Sequence, residues 1–375
     1  MDPLLDFARR RLAAAVGLIR ELVECESPSD DAAALERMAD LLAERLAPLA
    51  RVRKTRGGHL LAEMRLPGGR QEGAVLVLGH FDTVWPVGAL KEMPWRRQGG
   101  RLCGPGVLDM KAGIAMFLEA VAALRELERP VRRRVRLLLT RDEETGSATS
   151  RELIEELARA SLAALVLEPA TGLEGKLKTA RKGVGVYQLL VKGKAAHAGV
   201  NPQEGASAIV ELARQIDRLA GWNDSKRGTT LNPGVIAGGT RSNVVAAEAR
   251  AEIDVRVVRL RDAAALDRKL RRLRPFDKRC TLSLSGGLNR PPMERTPGGV
   301  RLFRLAQRLG RELGLELEES MTGGGSDGNF TAAVGTPTLD GLGAVGEGAH
   351  ALHESVLIDR IPERTALLAK LLEAV

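Results

Sequence analysis

The chain of 375 residues is poor in aromatic residues, which argues against a nucleic-acid-binding protein. Aromatic residues make up 3% of the sequence, with a single tyrosine, so no series of side chains is present on which unpaired bases would stack. The net charge of +9 would suit a polyanion, but the arginines are interspersed with glutamates and no basic tail stands out. We therefore expect no nucleic-acid partner, and a positive field that attracts a small anionic substrate.

Cysteine and long apolar runs are also scarce. Cys25, Cys103 and Cys280 lie far apart and form no C-x-x-C pair, so we expect no disulfide framework and a reducing compartment. No apolar run approaches the roughly 20 residues that cross a membrane. Three arginines at 9–11 precede a short apolar stretch, but acidic residues precede them and no small-residue cleavage site follows. We expect a cytoplasmic protein without a membrane partner.

Short apolar runs in the first half of the chain are each followed at once by histidine or acidic residues. Runs of this kind, bounded by turn residues, indicate buried strands of a parallel sheet. The carboxyl ends of such strands meet at one edge, where open α/β sheets bind their ligands. The runs and the residues that follow them are Val75–Leu78 with His80 and Asp82, Arg134–Thr140 with Glu143 and Glu144, and Ala164–Leu167 with Glu168.

The middle of the chain has a different pattern. Between 178 and 290 the elements are predicted in the order strand, helix, strand, strand, helix, strand, which is typical of a ferredoxin-like α+β unit. We therefore predict an α/β protein with a mostly parallel sheet flanked by helices over 1–177 and 291–375, and an inserted α+β domain over 178–290. Finer expectations are one helix over 3–24, a helix over 147–160, a strand over 243–258 and a loop over 346–354.

The residues at the predicted strand ends form a set suited to metal ions. Asp109 follows a glycine-rich loop, and a late loop carries His350 and His353. Imidazoles and carboxylates without thiolates suit zinc or another borderline divalent ion in a catalytic site. Two such ions need one bridging carboxylate, and either Glu143 or Glu144 would remain as a general base. Asp82 is placed to orient the His80 imidazole.

Four sequence blocks resemble the signatures of the co-catalytic zinc exopeptidase and deacylase family, in the family's order and spacing. The blocks are His80–Pro86, Gly104–Lys111, Asp142–Ser147 and Leu167–Pro169. Two of them, and the run Gly323–Asp327, resemble most the carboxypeptidase G (glutamate carboxypeptidase) branch. The resemblance implies two zinc ions, with cobalt or manganese as substitutes, and an inserted domain that acts as a lid and as the interface of a homodimer.

The same resemblance implies individual roles. His80 and Glu168 correspond to ligands of one zinc, Asp109 to the bridge, and Glu144 and His350 to ligands of the other. His353 remains the alternative to His350, since it lies where the family often has aspartate. Glu143 corresponds to the general base and Asp82 to the residue behind the first histidine.

Residues of the inserted domain also match family positions. His197 corresponds to a histidine that stabilises the oxyanion in the partner subunit's active site. Asn243 and Arg256 match positions that contact the substrate, and Gly324 and Gly325 lie in a run that resembles the family's substrate-carboxylate loop. From the residues alone, that glycine run could equally cradle a phosphate.

The sequence thus predicts a metallo-hydrolase that releases a C-terminal amino acid, glutamate or a similar one, from a peptidyl or N-acyl donor. An N-acyl-amino-acid deacylase of the aminoacylase type is the alternative within the enzyme class. A non-catalytic metal- or anion-binding module is the alternative outside it.

Overall fold

The computed structural model describes residues 2–68 and 73–375. Contacts within the chain divide it into two compact units. Unit 1 comprises Met1–Ala180, Arg295–Thr322 and Ser326–Val375, and unit 2 comprises Arg181–Glu294 and Gly323–Gly325.

Helices and strands are interspersed along the chain. The helices are α1 (Pro3–Arg10), α2 (Leu12–Glu24), α3 (Ala32–Leu46), α4 (Ala112–Glu126), α5 (Arg151–Arg159), α6 (Ala208–Ala220), α7 (Leu260–Arg271), α8 (Pro297–Glu312), α9 (Gly328–Ala333) and α10 (Ile361–Ala374). The strands are β1 (Ala50–Lys54), β2 (Leu60–Met64), β3 (Ala74–His80), β4 (Arg96–Gln98), β5 (Arg101–Cys103), β6 (Arg134–Thr140), β7 (Ala163–Val166), β8 (Leu177–Arg181), β9 (Gly183–Lys192), β10 (Thr230–Gly238), β11 (Glu248–Val257), β12 (Thr281–Arg290), β13 (Glu319–Thr322), β14 (Thr338–Leu339), β15 (Gly346–Glu347) and β16 (Ser355–Leu357).

The main sheet of unit 1 has the strand order β1-β2-β6-β3-β7-β14. Strand β3 runs parallel to β6 and β7, and β7 runs parallel to β14. Strands β1 and β2 join antiparallel at one edge. This is the predicted α/β fold class, with a mostly parallel sheet.

Both faces of the parallel strands are covered, which explains their unbroken apolar sequences. On β3, Val75 and Val77 belong to one core cluster, to which α2, α4 and α10 contribute. Leu76 and Leu78 belong to a second cluster with α5 and α9. A strand covered on both faces has no solvated side, so its sequence does not alternate with polar residues.

Unit 2 consists of the antiparallel sheet β10-β11-β9-β12 and the helices α6 and α7. Alternate residues of β9 and β11 and the apolar faces of both helices form a single core cluster. The element order and the position of β9 between β11 and β12 confirm the predicted ferredoxin-like α+β class.

Four finer predictions were wrong. The helix over 3–24 is divided at Arg11, whose backbone (φ −88°, ψ 1°) leaves the helical conformation and whose guanidinium pairs with the buried Glu119. The helix over 147–160 begins only at Arg151, because Asp142 accepts hydrogen bonds from Thr149 and Ser150 and holds the preceding turn. The strand over 243–258 begins at Glu248.

The fourth correction concerns the predicted loop over 346–354, which begins with the short strand β15. This strand lies in a small sheet of order β15-β16-β5-β4. Strand β16 pairs with β5 through Ser355 and Cys103, so the two segments that flank this loop are held together. Among the described residues, no helix is long and apolar enough to cross a membrane.

Candidate metal centre

The candidate residues at the ends of the parallel strands lie at one edge of the unit 1 sheet. His80 ends β3 and is in register with Thr140, the last residue of β6. Leu78 is in register with Val166, the last residue of β7. The loops that begin at these positions carry the acidic candidates that the sequence analysis singled out.

Two groups of side chains converge at this edge and share Asp109. In the first group, His80 Nε2 lies 3.1 Å from Asp109 Oδ1 and 3.5 Å from Glu168 Oε1. In the second, His350 Nε2 lies 3.4 Å from Asp109 Oδ2 and 3.3 Å from Glu144 Oε1. The two oxygens of Asp109 therefore each approach a different imidazole, as a bridging carboxylate does.

The two candidate histidines of the late loop differ in position. His350 has a backbone φ of 62°, in the left-handed region that few residues other than glycine adopt. The metal-ligand groups found among the described residues contain His350 and not His353. The His353 ring lies instead beside Gly348, where a β-carbon would come within 2.8 Å of it.

The donor set fits divalent metal ions. In each group the ligand atoms lie within 4.8 Å of one another, and they are imidazole nitrogens and carboxylate oxygens. The buried Oε1 atom of Glu144 accepts no hydrogen bond from the described residues, although it faces His350. A buried carboxylate oxygen without a donor is costly unless a cation satisfies it.

The pKa values of these groups reflect crowding of negative charge. Burial lowers the pKa of His80, but hydrogen bonds to Asp109, Asp82 and Glu168 raise it well above its usual value. The carboxylates of Asp109 and Glu144, which face its ring, raise the pKa of His350 to about 10. Burial raises the pKa of Asp109, and the two histidines lower it far more. The site thus stabilises positive charge strongly.

Asp82 is fully buried and joins the end of β3 to the acidic loop after β6. Its Oδ1 accepts a hydrogen bond from Glu143 N at 3.2 Å and lies 3.4 Å from His80 Nδ1. Its Oδ2 accepts hydrogen bonds from Glu144 N at 3.1 Å and from Ser29 Oγ at 2.8 Å. The carboxylate therefore orients an imidazole and holds two peptide groups of the acidic loop at once.

The remaining candidates lie in unit 2. His197 and Asn243 are exposed and lie on adjacent segments, where Ala198 N donates to Asn243 O at 3.0 Å. The Arg256 guanidinium forms an ion pair with Asp254 at 2.8 Å, and its Nη1 donates to Gly323 O at 3.3 Å.

A second arginine binds the same glycine run. Arg181 Nη1 donates to Gly325 O at 2.9 Å and to Gly324 O at 3.3 Å, and Arg290 packs so closely that a β-carbon on Gly325 would lie 2.7 Å from its Cδ. The sequence analysis did not single out Arg181 or Arg290, because each is one basic residue at the end of a strand.

Comparison with known proteins identifies the family. The model of "Peptidase family M20/M25/M40" matches residues 76–374. Carboxypeptidase G2 of Pseudomonas sp. (strain RS-16) is 30% identical over 367 residues, which cover 96% of this chain and 88% of that protein. Succinyl-diaminopimelate desuccinylase of Acidovorax ebreus is 30% identical, with 89% and 90% covered.

A solved structure agrees at the level of the fold. The crystal structure of aminopeptidase PepT from Bacillus cereus aligns with a TM-score of 0.80 at 22% identity, covering 96% of this chain and 98% of that one. The predicted family resemblance is therefore confirmed. The chain belongs to peptidase family M20/M25/M40, a family of dinuclear metallo-hydrolases that cleave amide bonds.

Proposed function

We propose that this chain is a zinc-dependent carboxypeptidase that releases a C-terminal amino acid, glutamate or a similar one, from a peptidyl or N-acyl donor. The observation that carries the proposal is the pair of ligand groups that share Asp109, one with His80 and Glu168, the other with Glu144 and His350. When bound there, divalent ions supply Lewis-acid polarisation of a carbonyl and acidify a water molecule. Zinc is favoured by the ligand types, and cobalt or manganese would be accepted by the same atoms.

Glu143 is the proposed general base. It is buried beside Glu144, and its peptide N–H is fixed by Asp82. A carboxylate in this position takes a proton from the attacking water and delivers it to the leaving nitrogen. This assignment leaves Glu144 as a ligand, in agreement with its contact to His350.

The inserted domain, with its predicted boundaries near 178 and 290, is proposed to act as the lid and the homodimer interface. In this proposal His197 stabilises the oxyanion in the partner's site. Asn243 and Arg256 contact the substrate's carboxylate or its scissile carbonyl, and Gly324 and Gly325 bind the carboxylate. Support comes from the arginines held on the glycine run, which provide positive charge for a carboxylate. The cytoplasmic location remains part of the proposal.

A paired assay tests the reaction and the base. Metal-loaded wild type, Glu143→Gln and the control Glu152→Gln, which changes an exposed glutamate on α5, are compared on dipeptides and N-acyl amino acids. We expect release of the C-terminal amino acid from a glutamate-terminated donor, lowered roughly 10²–10⁴-fold in Glu143→Gln at unchanged metal content. Equal rates in wild type and Glu143→Gln would refute the role of Glu143.

The same panel separates the alternatives. The 30% identity to a desuccinylase keeps an N-acyl-amino-acid deacylase as the second candidate. Turnover confined to acyl donors would select that deacylase. Two bound ions per chain without turnover of any donor would contradict the carboxypeptidase and favour a binding module.

Mixing two inactive variants tests the role of His197. If His197 acts in the partner's site, a mixture of Glu143→Gln and His197→Ala chains forms heterodimers with one complete site, and part of the activity returns. A fully active monomer in sedimentation would contradict the proposed role.

A further inference from the structure

A fully buried carboxylate outside the proposed ligand set lies beside the metal centre of unit 1. Glu354 Oε1 accepts hydrogen bonds from Leu108 N at 2.8 Å and Asp109 N at 3.1 Å. Its Oε2 accepts from Gly106 N at 3.0 Å and from Trp85 Nε1 at 2.9 Å. One side chain thus receives four hydrogen bonds within the protein.

The four donors come from two loops, and Glu354 itself belongs to a third. Trp85 lies in the loop after β3, and Gly106, Leu108 and Asp109 lie in the segment between β5 and α4. Glu354 follows His350 in the loop between β15 and β16. The carboxylate therefore ties the loop that follows His80 to the segments that carry Asp109 and His350.

The turn between His350 and Glu354 is short and internally bonded. Ala351 N donates to Gly348 O at 2.8 Å, and Glu354 N donates to Ala351 O at 2.8 Å. This turn includes the left-handed backbone of His350. A residue other than glycine is strained in that conformation and keeps it only where its surroundings hold it.

We propose that Glu354 is a positioning residue of the dinuclear centre, which sets the distance between the Asp109 bridge and the His350 ligand. The inference rests on the proposed function, because it assumes that Asp109 and His350 bind metal. Glu354 accepts a hydrogen bond from the backbone of Asp109 and shares a tight turn with His350. The ion held by Asp109, Glu144 and His350 therefore depends on Glu354 more than the ion held by His80, Asp109 and Glu168.

Only a carboxylate satisfies all four donors. A glutamine of the same length offers one acceptor oxygen, and its NH₂ group is a donor. In Glu354→Gln at least one backbone or indole N–H therefore faces another donor, and the loop of Asp109 moves away from that of His350.

The test measures metal binding to the chelator-treated, metal-free full chain. Co²⁺ is titrated into wild type, Glu354→Gln and Glu347→Gln by calorimetry and by the visible absorption of bound Co²⁺. Glu347 is the matched control, since it ends β15 directly before the loop of Glu354 but is exposed and pairs with Arg101. We expect two bound ions in wild type and in Glu347→Gln. In Glu354→Gln, we expect the second ion, the one at Asp109, Glu144 and His350, to bind roughly 10–100-fold more weakly and with an altered spectrum.

Two outcomes would overturn the inference. One is wild-type affinity for both ions in Glu354→Gln. The other is equal weakening of both ions together with loss of cooperative unfolding of the metal-free protein, which marks a purely structural role. Should Glu354→Gln fail to fold, Trp85→Phe removes a single donor and leaves the carboxylate. It should weaken the second ion several-fold, and unchanged affinity for both ions would overturn the inference in the same way.

The failure of this inference is distinguishable from that of the proposed function. A wild type that hydrolyses the donor panel while Glu354→Gln binds both ions normally contradicts the inference alone. A wild type that binds two ions but cleaves no donor, beside a Glu354→Gln with a weakened second ion, contradicts the proposed function alone.

Discussion

Replacement of Asp82 by asparagine measures how far the centre depends on one buried carboxylate. Its two oxygens accept hydrogen bonds from Glu143 N, Glu144 N and Ser29 Oγ. The asparagine amide has nearly the same shape but only one acceptor oxygen. Whichever way the amide is oriented, the N–H of Glu143 or of Glu144 therefore faces an NH₂ group.

The expected magnitude follows from the loss of that bond. A hydrogen bond to a charged partner contributes about 1.5–3 kcal/mol, and a buried donor left unpaired costs about 1–3 kcal/mol. We therefore expect Asp82→Asn to lower the free energy of unfolding of the metal-free protein by about 2–3 kcal/mol. Because the displaced peptide groups carry the candidate base and a candidate ligand, metal affinity should fall about 10–100-fold.

Urea unfolding of the metal-free protein and a zinc titration measure the two effects. Ser29→Ala is the control, since it removes one hydroxyl donor and leaves the hydrogen bonds from Glu143 N and Glu144 N to Asp82 intact. Ser29→Ala should lower the free energy of unfolding by about 1 kcal/mol, and it should lower metal affinity less than Asp82→Asn does. Equal metal affinity in wild type and Asp82→Asn, or equal losses in Ser29→Ala and Asp82→Asn, would refute the reasoning.

Three further predictions concern packing, the late loop and pH. A β-carbon on Gly343 would lie 2.1 Å from Leu167 O, next to the candidate ligand Glu168. Gly343→Ala should therefore lower metal affinity in a titration. The control Gly17→Ala, whose β-carbon meets no atom within 4 Å, should leave it unchanged. His353→Ala should keep two bound ions by metal analysis, and loss of one would assign the ligand role to His353. Burial raises the pKa of Glu211, but hydrogen bonds from the segment at 276–277 and from α6 lower it below its usual value. The contribution of Glu211 to stability is then present above its unfolded-state pKa and is lost as the pH falls through its folded-state pKa. The destabilisation by Glu211→Gln, measured by urea unfolding, should therefore shrink in acid. A difference that does not depend on pH would contradict this.

The parallel strands were predictable because burial on both faces leaves a local signal. The strand predicted over Arg134–Thr140 has those bounds in the structure. The acidic and histidine residues directly after such strands were found for the same reason, since the chain position alone brings them to one edge of the sheet.

The small sheet beside the metal centre was not predictable from local pattern. Its strands β5 and β16 have only three residues each, too few for a periodic signal, and they pair across more than half of the chain. The pairing of Cys103 with Ser355 is nevertheless what brings the loop of His350 to that of Asp109. A histidine and a glutamate four residues apart indicate a motif, but nothing in their spacing shows that the glutamate accepts hydrogen bonds from another loop.

Asp82 and Glu354 reveal a common principle in how the candidate ligands are held. Each is a fully buried carboxylate that accepts a hydrogen bond from the backbone N–H of a residue proposed to bind metal. Asp82 accepts from Glu144 N, and Glu354 accepts from Asp109 N. Because these N–H groups satisfy the supporting carboxylates, the side chains of Glu144 and Asp109 remain directed at the imidazoles. The supporting carboxylates are therefore satisfied by backbone donors, whereas Asp109 and Glu144 face the imidazoles of the candidate ligand groups. The sequence alone does not distinguish supporting carboxylates from ligand carboxylates. The structure distinguishes them by the backbone N–H groups that donate to the supporting ones.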